Sequence, residues 1–99
     1  MERVTISQVE IDGDGQLHVV PAGGSFAYIY REGMEVQWDA ARASLRSPKP
    51  REWSYAMWLR QIIVAARAQG CQLEFSSSTR WLNIDAGLKD QLIQTGNEA

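Results

Sequence analysis

Residues 51–69 read REWSYAMWLRQIIVAARAQ, and this stretch predicts the helix around which the rest of the fold is arranged. Pro50 stands before its first turn, where proline is tolerated, and Gly70 follows its end as a C-cap. At about 100° per residue, one face of the helix is apolar and is expected to lie on a sheet. That face carries Tyr55, Leu59, Ile62, Ile63 and Ala66, with Trp58 at its edge.

The opposite side of this helix is too apolar for a surface that faces only water. Its residues, called the helix surface below, are Trp53, Met57, Arg60, Val64 and Arg67. Trp, Met and Arg are residue types that are enriched at protein interfaces. Two interpretations stay open: another part of the chain, such as the C-terminal helix, covers this side, or a partner binds it.

Four strands are predicted before the helix. They are Val4–Ile11 with a bulge near Ser7-Gln8, Gln16–Val20, Phe26–Tyr30 and Met34–Trp38. Residues 12–15, Asp-Gly-Asp-Gly, predict a tight turn between the first two strands. Residues 39–50 are interpreted as a basic connecting loop with at most a short extended piece, because two prolines interrupt regular structure there.

After the helix, Cys71–Phe75 alternates and predicts a returning strand, and Arg80–Ile84 predicts a short last one. Asp85 is the expected N-cap of a short helix over residues 86–94, with Gly96 after its end. The predicted class is α+β in the order ββββαβ(β)α: an antiparallel sheet of four to six strands packed on one long helix, with a short C-terminal helix. The expected sheet–helix core contains Ile29, Val36, Trp38, Tyr55, Leu59, Ile62, Ile63, Leu73 and Phe75.

Length and composition indicate one soluble domain spanning residues 1–99. The chain has 99 residues, of which 44% are hydrophobic and 22% are charged, and nine are aromatic, so it can bury a core without metal or disulfide. Its single cysteine excludes an internal disulfide. The N-terminus has no apolar signal region, and no apolar run is long enough to cross a bilayer. We therefore expect a cytoplasmic protein with no membrane association.

Catalytic and metal-binding patterns are not evident. His18 is the only histidine, and it is expected at a sheet edge, while Cys71 is expected to be a packed thiol. No carboxylate pair for acid–base chemistry and no metal-binding or phosphate-binding motif is visible. The sequence therefore predicts a non-enzymatic protein with no cofactor and no metal. Carboxylates that converge only in three dimensions would overturn this prediction.

Charge is unevenly distributed along the chain. Residues 1–39 carry a net charge of −5, residues 40–67 carry +5, and residues 68–99 carry −2. The basic loop places Arg42, Arg46, Lys49 and Arg51 next to aromatic residues, a combination typical of single-stranded nucleic-acid binders. The acidic isoelectric point of about 5.3 argues against this interpretation, because phosphate neutralisation dominates such binding.

A family resemblance rests on five segments. They are Phe26-Ala27-Tyr28-Ile29, Met34 to Asp39, Ser47-Pro48-Lys49-Pro50, Ile62-Ile63 and Leu73-Glu74-Phe75. In this order they resemble a small immunity protein of bacterial polymorphic-toxin systems, over about half of the chain. The resemblance implies a non-enzymatic protein that binds and blocks a toxin. It carries over no functional residue.

The leading hypothesis is a protein-binding module that uses the helix surface, with Arg42, Arg46, Lys49 and Arg51 at its rim. A homodimer with a structural or scaffolding role is one alternative. A single-stranded nucleic-acid binder that uses loop 42–51 is the other. Molar mass in solution separates the first alternative from the rest, and salt dependence separates the second.

Overall fold

A computed structural model describes residues 1–99 as an α+β fold of six strands and two α-helices. The first part of the chain forms β1 (Glu2–Ile11), β2 (Leu17–Pro21), a 3-10 helix (Ile29–Arg31), β3 (Gln37–Asp39) and β4 (Ser44–Arg46). The second part forms α1 (Tyr55–Ala68), β5 (Cys71–Glu74), β6 (Arg80–Leu82) and α2 (Ala86–Glu98). Neither helix is long and apolar enough to span a membrane.

The sheet is mixed, so the prediction of an antiparallel sheet is wrong. Its strand order is β3-β4-β2-β1-β5, and β6 also pairs with β1. Strand β1 is antiparallel to β2 but parallel to both β5 and β6. β5 lies beside the first half of β1, and β6 lies beside its second half. The parallel pairing follows from α1, which crosses over the sheet and returns the chain to the start of β1.

The predicted bulge in β1 is confirmed. Ile6 and Val9 are both fully buried although they are three positions apart, and the register with β2 shifts between Ile6 and Gln8. A strand with strict alternation would send these two side chains to opposite faces. The turn predicted at residues 12–15 is also present, with Asp12 and Gln16 hydrogen-bonded across it and Gly15 at a φ of 81°.

The predicted strand Phe26–Tyr30 is wrong, because this segment forms a turn and the 3-10 helix. Phe26 and Ile29 are buried at a spacing of three, whereas Tyr28 and Tyr30 are each 58% exposed. The loop after the 3-10 helix packs closely on α1: a Cβ added to Gly33 would lie 2.9 Å from the Cβ of Ala65.

The number of strands before α1 agrees with the prediction, but their identities do not. Residues 34–38 contribute only the start of β3, which covers Gln37–Asp39. The fourth strand, β4, lies inside the predicted connecting loop and pairs with both β3 and β2. Its partner β2 thereby becomes an interior strand of the sheet.

Both helix lengths differ from the prediction. α1 begins at Tyr55, because the side chain of Ser54 accepts a hydrogen bond from the Met57 N–H at 3.2 Å and caps the helix. α2 begins after the predicted cap Asp85 but has 13 residues against 14 in α1, so it is not short. Gly96 lies inside α2, where a Cβ would be 2.4 Å from the ring of Phe75.

The core lies between the sheet and α1, as predicted, and α2 extends it. The buried part of the predicted set is Ile29, Val36, Leu59, Ile62, Ile63 and Leu73. Trp38, Tyr55 and Phe75 are partly buried against them. The predicted set lacked the fully buried residues of β1, β2 and β4, which are Ile6, Val9, Leu17, Val19 and Leu45. Leu92, which the sequence predicts to face inward from the C-terminal helix, is fully buried.

Candidate functional site

The helix surface is open to solvent. Trp53 is 37% exposed, Met57 is 46% exposed and Val64 is 41% exposed. α2 packs against α1 but does not cover these side chains. The interpretation that another part of the chain covers this side of α1 is therefore wrong.

The five residues of the helix surface differ in what surrounds them. Met57, Arg60 and Val64 follow one another along α1 and, with Trp53 and Gln61, line a groove of about 340 Å³. Arg67 lies one turn further on and donates from Nε to Oε1 of Gln72 at 3.0 Å. Trp53 precedes the helix, and its ring lies 4.8 Å from the ring of Trp58 at 48°. The groove therefore runs from Trp53 to Val64, and Arg67 lies beyond its end.

A second cavity, of about 460 Å³, lies on the other side of Trp53 and is called the Trp58 cavity below. It is bounded by the loop after the 3-10 helix, by the loop before α1 and by α1 itself. Its lining residues are Met34, Glu35, Pro48, Lys49, Arg51, Glu52, Trp53 and Trp58. Sequence reasoning placed Lys49 and Arg51 at the rim of a binding surface, and here they adjoin the helix surface through Trp53.

The other two rim residues lie elsewhere. Arg42, in the turn between β3 and β4, is 3.5 Å from a carboxylate oxygen of Glu10 on β1. Arg46, on β4, is 3.9 Å from Asp39 and also donates to the side chain of Gln37. The basic loop is therefore divided, and the prediction of one continuous basic rim is wrong. The reason is that Ser44–Arg46 joins the sheet as β4 instead of remaining a loop.

Sequence reasoning missed an exposed aromatic group near the C-terminal end of α1. Tyr28 and Tyr30 have ring centroids 6.5 Å apart, and the guanidinium of Arg31 lies 4.7 Å from the centre of the Tyr28 ring. Gln69 donates to the Tyr28 carbonyl at 3.1 Å, which attaches this segment to the end of α1. The spacing of three positions between Phe26 and Ile29 is the pattern that indicates a turn. The alternation of Phe26, Tyr28 and Tyr30 indicated a strand instead.

His18 is buried in the interior of the sheet, so its predicted place at a sheet edge is wrong. Its Nε2 is 2.7 Å from Oδ2 of Asp12, and its Nδ1 is 2.8 Å from Oγ of Ser44. These three residues, called the His18 cluster below, join the β1–β2 turn to β2 and β4. Cys71 is buried as predicted, and burial raises the pKa of its thiol, with the charge of Glu2 adding to the effect.

The electrostatics of the His18 cluster favour a charged carboxylate. Burial by itself would raise the pKa of Asp12, but hydrogen bonds from His18 and from the N–H groups of Gln16 and Asp14 outweigh it. The pKa of Asp12 is therefore held below its ordinary value of 3.8. Nearby, burial and the charge of Asp12 raise the pKa of Tyr55, whose hydroxyl donates to the Gly15 carbonyl.

An Asp–His–Ser trio invites comparison with hydrolase triads, but its geometry favours a structural role. A nucleophilic serine must present its oxygen to a substrate. Ser44 is fully buried, and His18 is 2% exposed. No three of the His, Cys, Asp and Glu side chains are placed to hold a metal ion together. The cluster gives both nitrogens of a buried imidazole a hydrogen-bond partner and attaches the β1–β2 turn to the sheet.

Two comparisons with known proteins identify relatives. A family model described as "Integron Cassette Protein Hfx_Cass5" matches residues 4–79. A solved structure described as "Structure from the mobile metagenome of North West Arm Sewage Outfall: Integron Cassette Protein Hfx_Cass5" is 46% identical to the chain, covers 98% of each of the two chains and has a TM-score of 0.50. No curated protein matches the chain.

These findings correct the family resemblance drawn from the sequence. The matched region contains all five segments on which the resemblance to immunity proteins was based, and it belongs to a different protein family. Those segments are structural: an aromatic turn, the β3 strand, a proline-containing loop, the helix core and β5. Such features recur in unrelated α+β folds, so they do not identify a toxin inhibitor.

Proposed function

We propose that the chain, which belongs to the integron cassette protein family Hfx_Cass5, acts as a non-enzymatic module that binds a protein partner at the helix surface. One observation carries the proposal: three large apolar side chains stand exposed in a row beside α1. Trp53, Met57 and Val64 lie in one groove and remain 37–46% exposed although α2 packs on the same helix. A solvated helix side is ordinarily polar.

Residue chemistry supports a protein partner. Trp and Met bury large areas, and Trp and Arg are the residue types that most often dominate binding energy at interfaces. Full burial of a side chain such as Met or Val is worth about 1.5–3 kcal/mol. The neighbouring cavity and the exposed Tyr28 and Tyr30 extend the apolar surface at both ends of α1.

Charge indicates the chemistry of the partner. α1 carries Arg60 and Arg67 and has no acidic residue. None of the ion pairs within the protein involves either arginine. A partner that presents apolar side chains with acidic residues beside them would therefore complement this surface, and the attraction would speed encounter.

The same charges count against the alternatives. A symmetric dimer through the helix surface would bring the arginines of one copy towards those of the other. A nucleic-acid strand along loop 42–51 would find Arg42 and Arg46 already close to Glu10 and Asp39. Both alternatives are outcomes of the test that follows.

The test is affinity capture from nuclease-treated lysate of the source cells with three immobilised proteins. They are the wild type, Val64→Asp and the control Leu82→Asp, which changes an apolar residue of β6 with 36% exposure. We expect one stoichiometric protein on the wild type and on the control, and at least a tenfold loss on Val64→Asp. A tenfold loss corresponds to about 1.4 kcal/mol.

Two results would overturn the proposal. One is equal retention of the captured protein by Val64→Asp, which would place the interface elsewhere. The other is retention of nucleic acid alone when nuclease is omitted. In parallel, sedimentation gives the molar mass: 11.1 kDa is expected, and about twice that would favour the dimer.

A further inference from the structure

The Trp58 cavity has features that a protein interface does not require. Its volume of about 460 Å³ lies within the range of small-molecule sites. We propose that this cavity binds a zwitterionic aromatic molecule, of the size of a free amino acid to a tripeptide. This inference goes beyond the protein-binding function and does not depend on it.

The first support is an unsatisfied hydrogen-bond donor on Trp58, a residue that lines the cavity. Trp58 is only 7% exposed, and its indole Nε1–H is the one buried side-chain polar atom without a hydrogen-bond partner in the protein. A buried N–H without an acceptor costs free energy, and most buried polar atoms in native proteins have a partner. Because Nε1 itself is closed off in the free protein, a carboxylate or carbonyl oxygen of a ligand would reach it only after a small shift of the Trp58 ring.

The second support is the set of charges around the cavity. Lys49 and Arg51 provide two cations, and Glu35 and Glu52 provide two anions. None of the four takes part in an ion pair within the protein. Unpaired charges of both signs around one cavity are complementary to a ligand that carries both a carboxylate and an ammonium group.

The third support is the aromatic wall and the backbone beside it. The rings of Trp53 and Trp58 lie 4.8 Å apart and offer a surface on which a flat apolar group can stack. Glu35 has a φ of 66°, which is unfavourable for a residue with a side chain. Strained backbone of this kind is concentrated at ligand sites. Together these features specify an aromatic body with charged ends.

The test follows the four indole N–H signals in a ¹H–¹⁵N spectrum of the full chain during titration. The probes are L-phenylalanine, the tripeptide Gly-Phe-Gly and uncharged N-acetyl-phenylalaninamide. We expect the zwitterionic probes to shift the signals of Trp53 and Trp58, with a Kd on the order of 0.1–1 mM. The signals of Trp38 and Trp81, which do not line the cavity, serve as controls in the same spectrum.

Variants separate the contributions to binding. Trp58→Phe keeps a ring and removes the N–H, and we expect about a fivefold to tenfold weaker affinity. The double variant Lys49→Gln, Arg51→Gln changes only side chains of the loop before α1. We expect a similar loss of affinity for the zwitterionic probes and no loss for the uncharged amide. The matched control Lys89→Gln, beside Trp81 on α2, is expected to bind like the wild type.

Clear outcomes overturn the inference. If no probe shifts Trp53 or Trp58 at 10 mM, the cavity is not a site for this class of ligand. If the uncharged amide binds as well as phenylalanine, the charge argument is wrong. Val64→Asp lies in the neighbouring groove, so it should abolish partner capture while leaving phenylalanine binding intact; failure of one proposal is thereby distinguished from failure of the other.

Discussion

The His18 cluster and the Trp58 cavity both place polar atoms out of reach of solvent, but only the cluster satisfies them within the protein. Both nitrogens of His18 have partners, one in the β1–β2 turn and one in β4. The indole N–H of Trp58 has none, and the four charged residues of its cavity are unpaired. The trio that looks catalytic thus stabilises the fold, whereas the cavity without a familiar motif has polar groups that the rest of the protein does not pair.

The largest expected effect is on stability, from His18→Ala. The substitution leaves Asp12 and Ser44 without their buried partner, and breaking such a pair costs about 3 kcal/mol or more. Urea unfolding followed by far-UV circular dichroism measures this change. The milder Ser44→Ala, which removes one hydrogen bond, should cost about 1 kcal/mol. A cost below 1 kcal/mol for His18→Ala would show that the cluster does not hold the sheet together.

The next effect is a pH dependence carried by Asp12. Its pKa is below 3.8 in the folded state, so the unfolded chain takes up the proton first as the pH falls. The stabilisation is therefore complete above the ordinary carboxyl pKa and is lost as the pH falls through the lower folded value. We expect Asp12→Asn to cost about 1.5–3 kcal/mol near neutral pH.

The measurement is the difference in unfolding free energy between the wild type and Asp12→Asn across the acid range. The difference should shrink as the pH falls below 3.8, because both proteins then carry a neutral side chain at this position. A difference that stays constant into strong acid would assign the effect to shape and not to the carboxylate charge.

The smallest stability effect is expected on the helix surface, in the groove next to the Trp58 cavity. Met57→Ser on the helix surface should change the free energy of unfolding by about 0.5 kcal/mol or less, because the side chain is 46% exposed and α2 does not cover it. Thermal unfolding at several protein concentrations checks this. A loss of 2 kcal/mol would mean that Met57 belongs to the packing of the fold and is not free for a partner.

Local patterns predicted the elements whose signals are self-contained. The apolar face of α1, the tight turn at residues 12–15, the bulge in β1 and the N-cap Asp85 each depend on a few neighbouring residues. The segment Phe26–Tyr30 misled for the opposite reason: its alternation fits a strand, but in the folded protein it is Phe26 and Ile29, three positions apart, that are buried in the core. The candidate site was predictable where it depends on a local pattern. The periodicity of α1 placed Met57, Arg60 and Val64 on one exposed side.

By itself, the sequence determined an α+β fold built around one amphipathic helix with an apolar outer side, because helical periodicity is a property of neighbouring residues. Only the tertiary structure decided that β5 and β6 run parallel to β1, that His18 meets Asp12 and Ser44, and that Lys49 and Arg51 share a cavity with Trp58. Each of these depends on long-range pairing between segments. Strand partners and cavity walls are chosen by the packing of the whole chain, and no local pattern encodes that choice.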